Sequence, residues 1–146
     1  METVKIKKLY PGAQLPRYGT EFSAGADLCA CLEKPVTLQP NETRMISIGI
    51  SVELPAGYAG LIFARSGLAS KQGLAPANKV GVVDSDYRGE WFVPLHNHSS
   101  EPRVIEPGER IAQLIITPYL TAKFIESDTL SETVRGTGGF GSTGVK

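Results

Sequence analysis

Acid, aromatic and glycine residues crowd together in Gly81-Val82-Val83-Asp84-Ser85-Asp86-Tyr87-Arg88-Gly89-Glu90. A carboxylate within hydrogen-bond reach of a water molecule can take its proton, and an aromatic ring beside it can wall a flat ligand. Asp84 and Asp86 lie two apart, so extended backbone would turn both to one face, with Ser85 and Tyr87 on the other. Two readings stand: a pocket with a base and a stacking wall, or a solvated turn, because Asp and Gly are ordinary turn residues. Val82-Val83 before the knot and Trp91-Phe92-Val93 after it predict strand, tight polar turn, strand, which is a hairpin.

Four other places carry chemistry. Asp27 follows Ala24-Gly25-Ala26, where it either makes a local turn hydrogen bond or stands near a divalent ion. Arg65-Ser66-Gly67 opens the one predicted helix. A guanidinium beside free helical amides makes a phosphate cradle, and Ser66 as a helix cap is compatible with that. Gln113 puts an amide inside an apolar strand, where burial demands a partner; it is a satisfied core amide or a ligand contact, and Arg110 beside it reads as an ion-pair former. Near the end, Phe140 stands alone among glycines like an anchor on a flexible arm. Arg135, Ser142, Thr143 and the glycine amides there suit an anion clasp, hence a ligand-ordered lid. His96 and His98 lack a third ligand at metal-site spacing and read as loop residues. No serine sits in a nucleophile-elbow pattern, so no covalent triad is indicated.

The elements that must position these groups are short. Ten prolines and sixteen glycines cut the 146 residues into small pieces, an all-β signature. Strands are expected over 4–9, 26–32, 35–40, 45–52, 58–64, 79–83, 91–95, 104–105, 111–117 and 119–125, with the helix over 66–73. The segment 10–23 reads as loop. In 45–52, Ile46, Ile48, Ile50 and Val52 alternate with Met45, Ser47, Gly49 and Ser51, as one half-buried strand would. The turn spacing suits a sandwich or jelly-roll-like barrel. Beyond Glu126 the chain is polar and glycine-rich and cannot build a core, so a domain over 1–126 and an arm over 127–146 are expected.

Composition narrows the partners. Fifteen basic and fifteen acidic residues cancel, so broad attraction to nucleic acid or to an anionic membrane is not expected. No apolar stretch reaches spanning length. Lys5, Lys7 and Lys8 are not followed by an apolar run, so no signal peptide is expected. Cys29 and Cys31, two apart on one face, read as small buried apolar groups rather than a disulfide, which suits a reducing compartment.

Five stretches together resemble the homotrimeric dUTPases, the deoxyuridine triphosphate nucleotidohydrolases. They are Ala24-Gly25-Ala26-Asp27-Leu28, Arg65-Ser66-Gly67, Gly81 to Gly89, Gly108-Glu109-Arg110-Ile111-Ala112-Gln113, and Arg135-Gly136 with Gly139-Phe140-Gly141-Ser142-Thr143-Gly144. They stand in the family's order and span nearly the whole chain. The resemblance implies an all-β, jelly-roll-like distorted β-barrel with one short helix and a flexible C-terminal arm, assembled as a homotrimer with shared active sites. It implies hydrolysis of dUTP to dUMP and pyrophosphate by Mg²⁺-assisted attack of an Asp84-activated water on the α-phosphorus. Main-chain groups at Gly81 and Val83, with Asn78, would read uracil, and Tyr87 would pack under the deoxyribose. Arg65, Ser66, Gly67 and Gln113 would hold the phosphates, and Asp27 would reach Mg²⁺ through water. The arm of a neighbouring subunit would bring Phe140 over the base, and Arg135, Gly141, Ser142 and Thr143 to the terminal phosphates. No nucleic acid or membrane partner is implied. The implied location is the cytoplasm, with the nucleus added in a eukaryote.

Ala64, where the family usually has proline, and Trp91, where it usually has an aliphatic residue, depart from the pattern without removing a chemical role. Two rival readings are the dCTP deaminase branch and a non-catalytic nucleotide-sensing or protein-binding trimer. The deaminase would need a glutamate in the base pocket, and Glu90 is the only nearby candidate.

Overall fold

Among the described residues no strand is longer than nine residues, in keeping with the proline and glycine spacing. The computed structural model describes residues 3–139. In chain order the elements are β1 (Lys5–Lys8), β2 (Arg17–Tyr18), β3 (Ala26–Cys29), β4 (Val36–Leu38), β5 (Thr43–Ser47), β6 (Ile50–Glu53), β7 (Tyr58–Phe63), α1 (Ser66–Gln72), β8 (Leu74–Pro76), β9 (Val80–Val83), β10 (Phe92–Asn97), β11 (Arg103–Ile105) and β12 (Arg110–Pro118). The main sheet runs β2-β3-β12-β7-β9, a second runs β5-β10-β8, and β1-β6 and β11-β4 form two-stranded ladders. Every pairing is antiparallel. The protein is all-β with one short helix, as expected, but the four ladders do not join into a closed barrel among the described residues.

The alternation of Ile46, Ile48, Ile50 and Val52 is real, since all four are buried in the core. The single strand expected over 45–52 is not. It breaks into β5, which pairs with β10, and β6, which pairs with β1. The break falls at Gly49, whose φ is 71°. A Cβ there would lie 2.5 Å from the Cys31 sulfur and 3.0 Å from the Ala13 Cβ. Glycine alone tolerates both the left-handed backbone and the contact. The corner is tied by hydrogen bonds from the Leu9 amide to the Gly49 carbonyl (2.8 Å) and from the Trp91 amide to the Ile50 carbonyl (2.9 Å). One apolar face thereby serves two ladders.

Other expectations shift for equally local reasons. The strand expected over 26–32 ends at Cys29, because the Cys31 amide turns to the Ser47 carbonyl. Within 10–23 the chain forms the two-residue β2. No strand forms over 119–125, where Leu120 and Phe124 are more than nine-tenths exposed. Arg65 is the helix N-cap, in extended backbone with no side-chain cap bond, so Ser66 is the first helical residue rather than the cap. The helix stops as expected at Gly73, whose φ is 69°. Trp91 is a core residue, 2% exposed, and Gly60 makes room for its ring. Asn97, expected in a turn, ends β10 fully buried. Its Nδ2 donates to the Leu38 and Glu101 carbonyls, and its Oδ1 accepts from the Ser99 amide and hydroxyl. Cys29 and Cys31 are free thiols. Among the described residues no helix is long and apolar enough to cross a membrane.

The hairpin expected around residues 84–90 is corrected as well. β9 pairs with β7 and β10 pairs with β5 and β8, so the two flanking strands belong to different sheets. The turn between them is closed by the Tyr87 amide on the Asp84 carbonyl (3.2 Å).

Gly49→Ala is expected to lower stability by about 2–4 kcal/mol, combining the left-handed backbone penalty with the steric overlap. At Gly57, where φ is also positive but a Cβ would meet nothing within 4 Å, Ala is expected to lower it by only about 1–2 kcal/mol. Urea midpoints at unchanged m-value measure both.

Candidate active site

The site begins with strand register. On β12, Gln113 lies opposite Asp27 of β3 on one side and Phe63 of β7 on the other. The chain leaves β7 through Ala64 and reaches Arg65 at the start of α1. Three of the sequence-singled stretches thus converge at one end of the main sheet.

Asp27 is the hinge of this convergence. Its Oδ1 accepts from Arg65 Nε (2.9 Å) and its Oδ2 from Arg110 Nη1 (3.0 Å). Arg65 Nη1 also donates to the Arg110 carbonyl (3.1 Å). Gln113 Nε2 donates to the Ala64 carbonyl (2.8 Å), a group that proline at position 64 would equally supply. Gly25 lies flat against this amide, and a Cβ there would come within 2.5 Å of Gln113 Oε1. Gln113 is therefore a positioned amide, held by one end.

Gly25, Asp27, Arg65 and Gln113 line a cleft of about 350 Å³ with Gly19, Ser23, Ala24, Ser66, Gly67 and Ile115. Arg65 lines this cleft beside Asp27, while Arg110, on the other oxygen of the same carboxylate, lines the neighbouring hollow, so two guanidiniums outweigh the one carboxylate around Asp27. The remaining N–H donors of Arg65 and the unpaired first-turn amides of α1 suit an anion. A Cβ on Gly67 would meet nothing within 4 Å, so packing in this chain does not require glycine there. Gly19 and Ser23, on the rim, were not singled out from the sequence. They arrive on a turn closed by Ser23 Oγ on the Thr20 amide (2.9 Å), a Thr-x-x-Ser signal that was readable. Cys29 lies two residues from Asp27, and burial first and the Asp27 charge second push its thiol up, which disfavours the thiolate.

The second group lies elsewhere. Gly81 of β9 pairs with Ile62 of β7, and Val83 with Gly60. Asn78 Nδ2 sits against Gly81, 3.2 Å from where a Cβ would be. Asp84 is exposed just past β9. The Tyr87 ring lies over Gly89, and its hydroxyl donates to the Glu90 carbonyl (3.0 Å). Asn78, Gly81, Val83, Asp84 and Tyr87 thus share one strand and its two ends.

The structure does not bring Asp84 to Arg65. Val83 pairs with Gly60 and Val80 with Phe63, so Asp84 comes level with Ala59 near the start of β7 while Arg65 lies beyond its other end. Six residues of extended chain separate the two ends by about 20 Å. Arg135 is held within its own segment, with Nε donating to the Gly138 carbonyl (2.8 Å). Phe140, Gly141, Ser142 and Thr143 lie outside the described residues.

Among the described residues no cluster of three or more His, Cys, Asp or Glu groups is built to hold a metal. His96 and His98 touch only edge to face, with ring centroids 4.3 Å apart. Asp27, with both oxygens already engaged by arginines, would reach a hydrated Mg²⁺ through water rather than as a direct ligand.

A cleft with an oriented guanidinium at the end of an all-β sheet, and an exposed acid on a separate loop, is an arrangement suited to an anion in a protein of jelly-roll-like architecture. A family model described as dUTPase matches residues 12–144. The deoxyuridine 5'-triphosphate nucleotidohydrolase of Desulfitobacterium hafniense is 49% identical over 150 residues, covering 99% of each chain. That of Maricaulis maris is 51% identical over 147 residues, covering 98% of this chain and 97% of the other. The Staphylococcus bacteriophage 80alpha dUTPase with dUPNHPP has a TM-score of 0.86 at 29% identity, over 99% of this chain and 100% of that one. The chain belongs to the dUTPase family.

Gly25→Ala should push the Gln113 amide off the Ala64 carbonyl. The expected result is a fall in kcat/KM for dUTP of about tenfold, the equivalent of one hydrogen bond, with a melting temperature lowered by only a few degrees. Steady-state kinetics beside a thermal melt measures both.

Proposed function

We propose that the protein hydrolyses dUTP to dUMP and pyrophosphate, and that the observation carrying this reading is the cleft in which Asp27 holds the Arg65 guanidinium, in a chain of the dUTPase family. Arg65, Ser66, Gly67 and Gln113 hold the phosphates. Asn78 and the main chain at Gly81 and Val83 read the uracil edge, and Tyr87 lies beneath the deoxyribose. Asp84 takes a proton from a water as its oxygen bonds to the α-phosphorus, and the bond from that phosphorus to the bridging oxygen breaks, releasing pyrophosphate. Arg65 offsets the charge that grows on the phosphate oxygens during this displacement. Bound Mg²⁺ supplies further charge neutralisation, with Asp27 in reach of it through water.

No single chain supplies a complete site under this reading. The water on Asp84 must reach a phosphorus that Arg65 also serves, and about 20 Å of strand lies between them in one chain. A homotrimer with shared sites resolves this, each site combining the Asp84 end of one chain with the Arg65 end of another. The exposed apolar groups of 119–134, among them Leu120, Phe124, Ile125 and Leu130, support the same assembly, because each would gain cover from a neighbouring copy. On this reading 1–126 is the domain and 127–146 the arm, and the arm carries Arg135, Phe140, Gly141, Ser142 and Thr143 over a neighbour's site. Retention of two free cysteines suits the cytoplasm.

The deaminase reading loses its acid. Both Glu90 carboxylate oxygens are engaged, one by Ser47 Oγ and the other by Tyr10 Oη, which supports a structural role for Glu90 rather than a shuttling one.

Incubation with dUTP, dCTP, dTTP and UTP, each with Mg²⁺, is expected to yield dUMP and pyrophosphate from dUTP alone. Asp84→Asn should abolish turnover while dUTP still binds; near-normal turnover would remove Asp84 as the base. Mixing tests the shared sites. Inactive Asp84→Asn and inactive Arg65→Ala chains, unfolded and refolded together, should regain turnover that neither has alone. No recovery in mixed trimers would place both residues' duties within one chain.

A further inference from the structure

Glu90 does more than occupy a turn. Its carboxylate reaches back across the chain, accepting from Tyr10 Oη (3.0 Å) on one oxygen and from Ser47 Oγ on the other. Its main-chain carbonyl accepts from Tyr87 Oη (3.0 Å). One residue therefore joins the ring of Tyr87 to two fixed points outside the 84–90 loop.

Both fixed points are well anchored. Ser47 ends β5, and its carbonyl accepts from the Cys31 amide (2.8 Å). Tyr10 follows the Leu9 amide, which bonds the Gly49 carbonyl. Trp91, the next residue after Glu90, is buried and bonded on both sides, its amide to Ile50 and its carbonyl to the Ile48 amide. The side-chain clamp and the Trp91 ladder together leave the Glu90 carbonyl one orientation.

The ring is held on its other side too. A Cβ on Gly89 would lie 2.3 Å from Tyr87 Oη and 2.5 Å from its Cζ, so the phenol rests directly on the Gly89 backbone. Arg88 completes the loop, donating from Nη1 to the Ser85 and Tyr87 carbonyls, while Ser51 Oγ donates to the Arg88 carbonyl. Tyr87 is nonetheless about half exposed, so one face remains open to a ligand. A ring that must exclude one hydroxyl by contact has to be fixed to a fraction of an ångström, and a loop residue gains that only from supporting bonds.

We propose that Glu90, clamped by Tyr10 and Ser47, is a positioning residue that fixes the Tyr87 ring and so sets the preference for a deoxyribose over a ribose triphosphate. This rests on the reading that Tyr87 lies beneath the sugar. Glu90 touches no substrate in it and acts through Tyr87. The Tyr10 phenol, raised above its usual range by its hydrogen bond to Glu90 and then by that carboxylate's charge, stays a donor throughout the neutral range.

The test is kinetic, on the full-length chain with Mg²⁺, reading KM and kcat for dUTP and UTP in Glu90→Ala, Glu90→Gln, Tyr87→Ala and a Tyr10→Phe/Ser47→Ala double variant. In Glu90→Ala, KM for dUTP should rise about tenfold and the dUTP-over-UTP preference fall by a similar factor, a modest share of what ångström-scale misplacement can do. Its kcat for dUTP should stay within about threefold, because Asp84 is untouched. The double variant, which keeps Glu90 but removes its two donors, should move the same way and serves if Glu90→Ala does not fold. Glu90→Gln, still able to bond both hydroxyls, should restore most of the preference. A lower melting temperature with unchanged preference in both clamp-breaking variants overturns the proposal. If Tyr87→Ala loses the preference and they do not, the clamp alone falls. If Tyr87→Ala also keeps it, the sugar reading beneath the proposal falls with it.

Discussion

The Asp27 carboxylate, shared between Arg65 and Arg110, is the interaction on which the cleft end of the main sheet depends. Its partners come from 38 and 83 residues away along the chain, and it draws the start of α1 and the start of β12 onto β3. The side chains of Asp27 and Arg65 are largely shielded, and that of Arg110 is more than half exposed. Removal of the acid would leave two guanidiniums facing one another with no counter-charge, a heavier penalty than loss of an ordinary surface pair. The proposed function uses the same arrangement. A guanidinium held by Nε to a carboxylate has its direction set before an anion arrives, so less ordering is required on binding.

The sheet makes that arrangement exact in register. β12 is the middle strand of the main sheet, and Gln113 is its pivot, flanked by Asp27 and Phe63. A slip of one residue would turn Gln113 into the core and Ala112 or Leu114 toward the cleft. The core prevents the slip, because Ile111, Ala112 and Leu114 are all buried. Burial of apolar side chains therefore holds the polar ones in place, and the Gly49 corner supports it by letting one run of isoleucines seal two ladders.

The separation of Asp84 from Arg65 follows from the same strands. Antiparallel pairing of β7 with β9 sends the start of β9 toward the phosphate cleft and its end away from it. A longer loop would not cure this, because the loop after Val83 is itself tied down through Glu90 and Trp91. The chemical groups of one chain therefore stand at two ends of the same pair of strands, which is why the site proposed above draws on more than one chain.

Much was legible in the residues alone. Proline and glycine spacing determined short strands and an all-β fold, because neither residue supports a long helix. The period of two in 45–52 determined which side chains enter the core, and the glycine at 73 determined where the helix stops. The five polar stretches determined the family, because charged and glycine residues in that order have no role in a plain sheet. Only the tertiary structure decided the partners. Alternation reads the same whether a strand stays in one sheet or changes sheets at Gly49, since periodicity records a face and not a neighbour. Apolar runs on both sides of Asp84 look like a hairpin for the same reason, yet β9 and β10 belong to different sheets. Whether Asp27 meets a metal, a turn amide or two arginines is decided by chain segments that local pattern cannot see. From its neighbours alone Glu90 could be a turn residue or a shuttling acid, and only folding brought Tyr10 and Ser47 to its carboxylate.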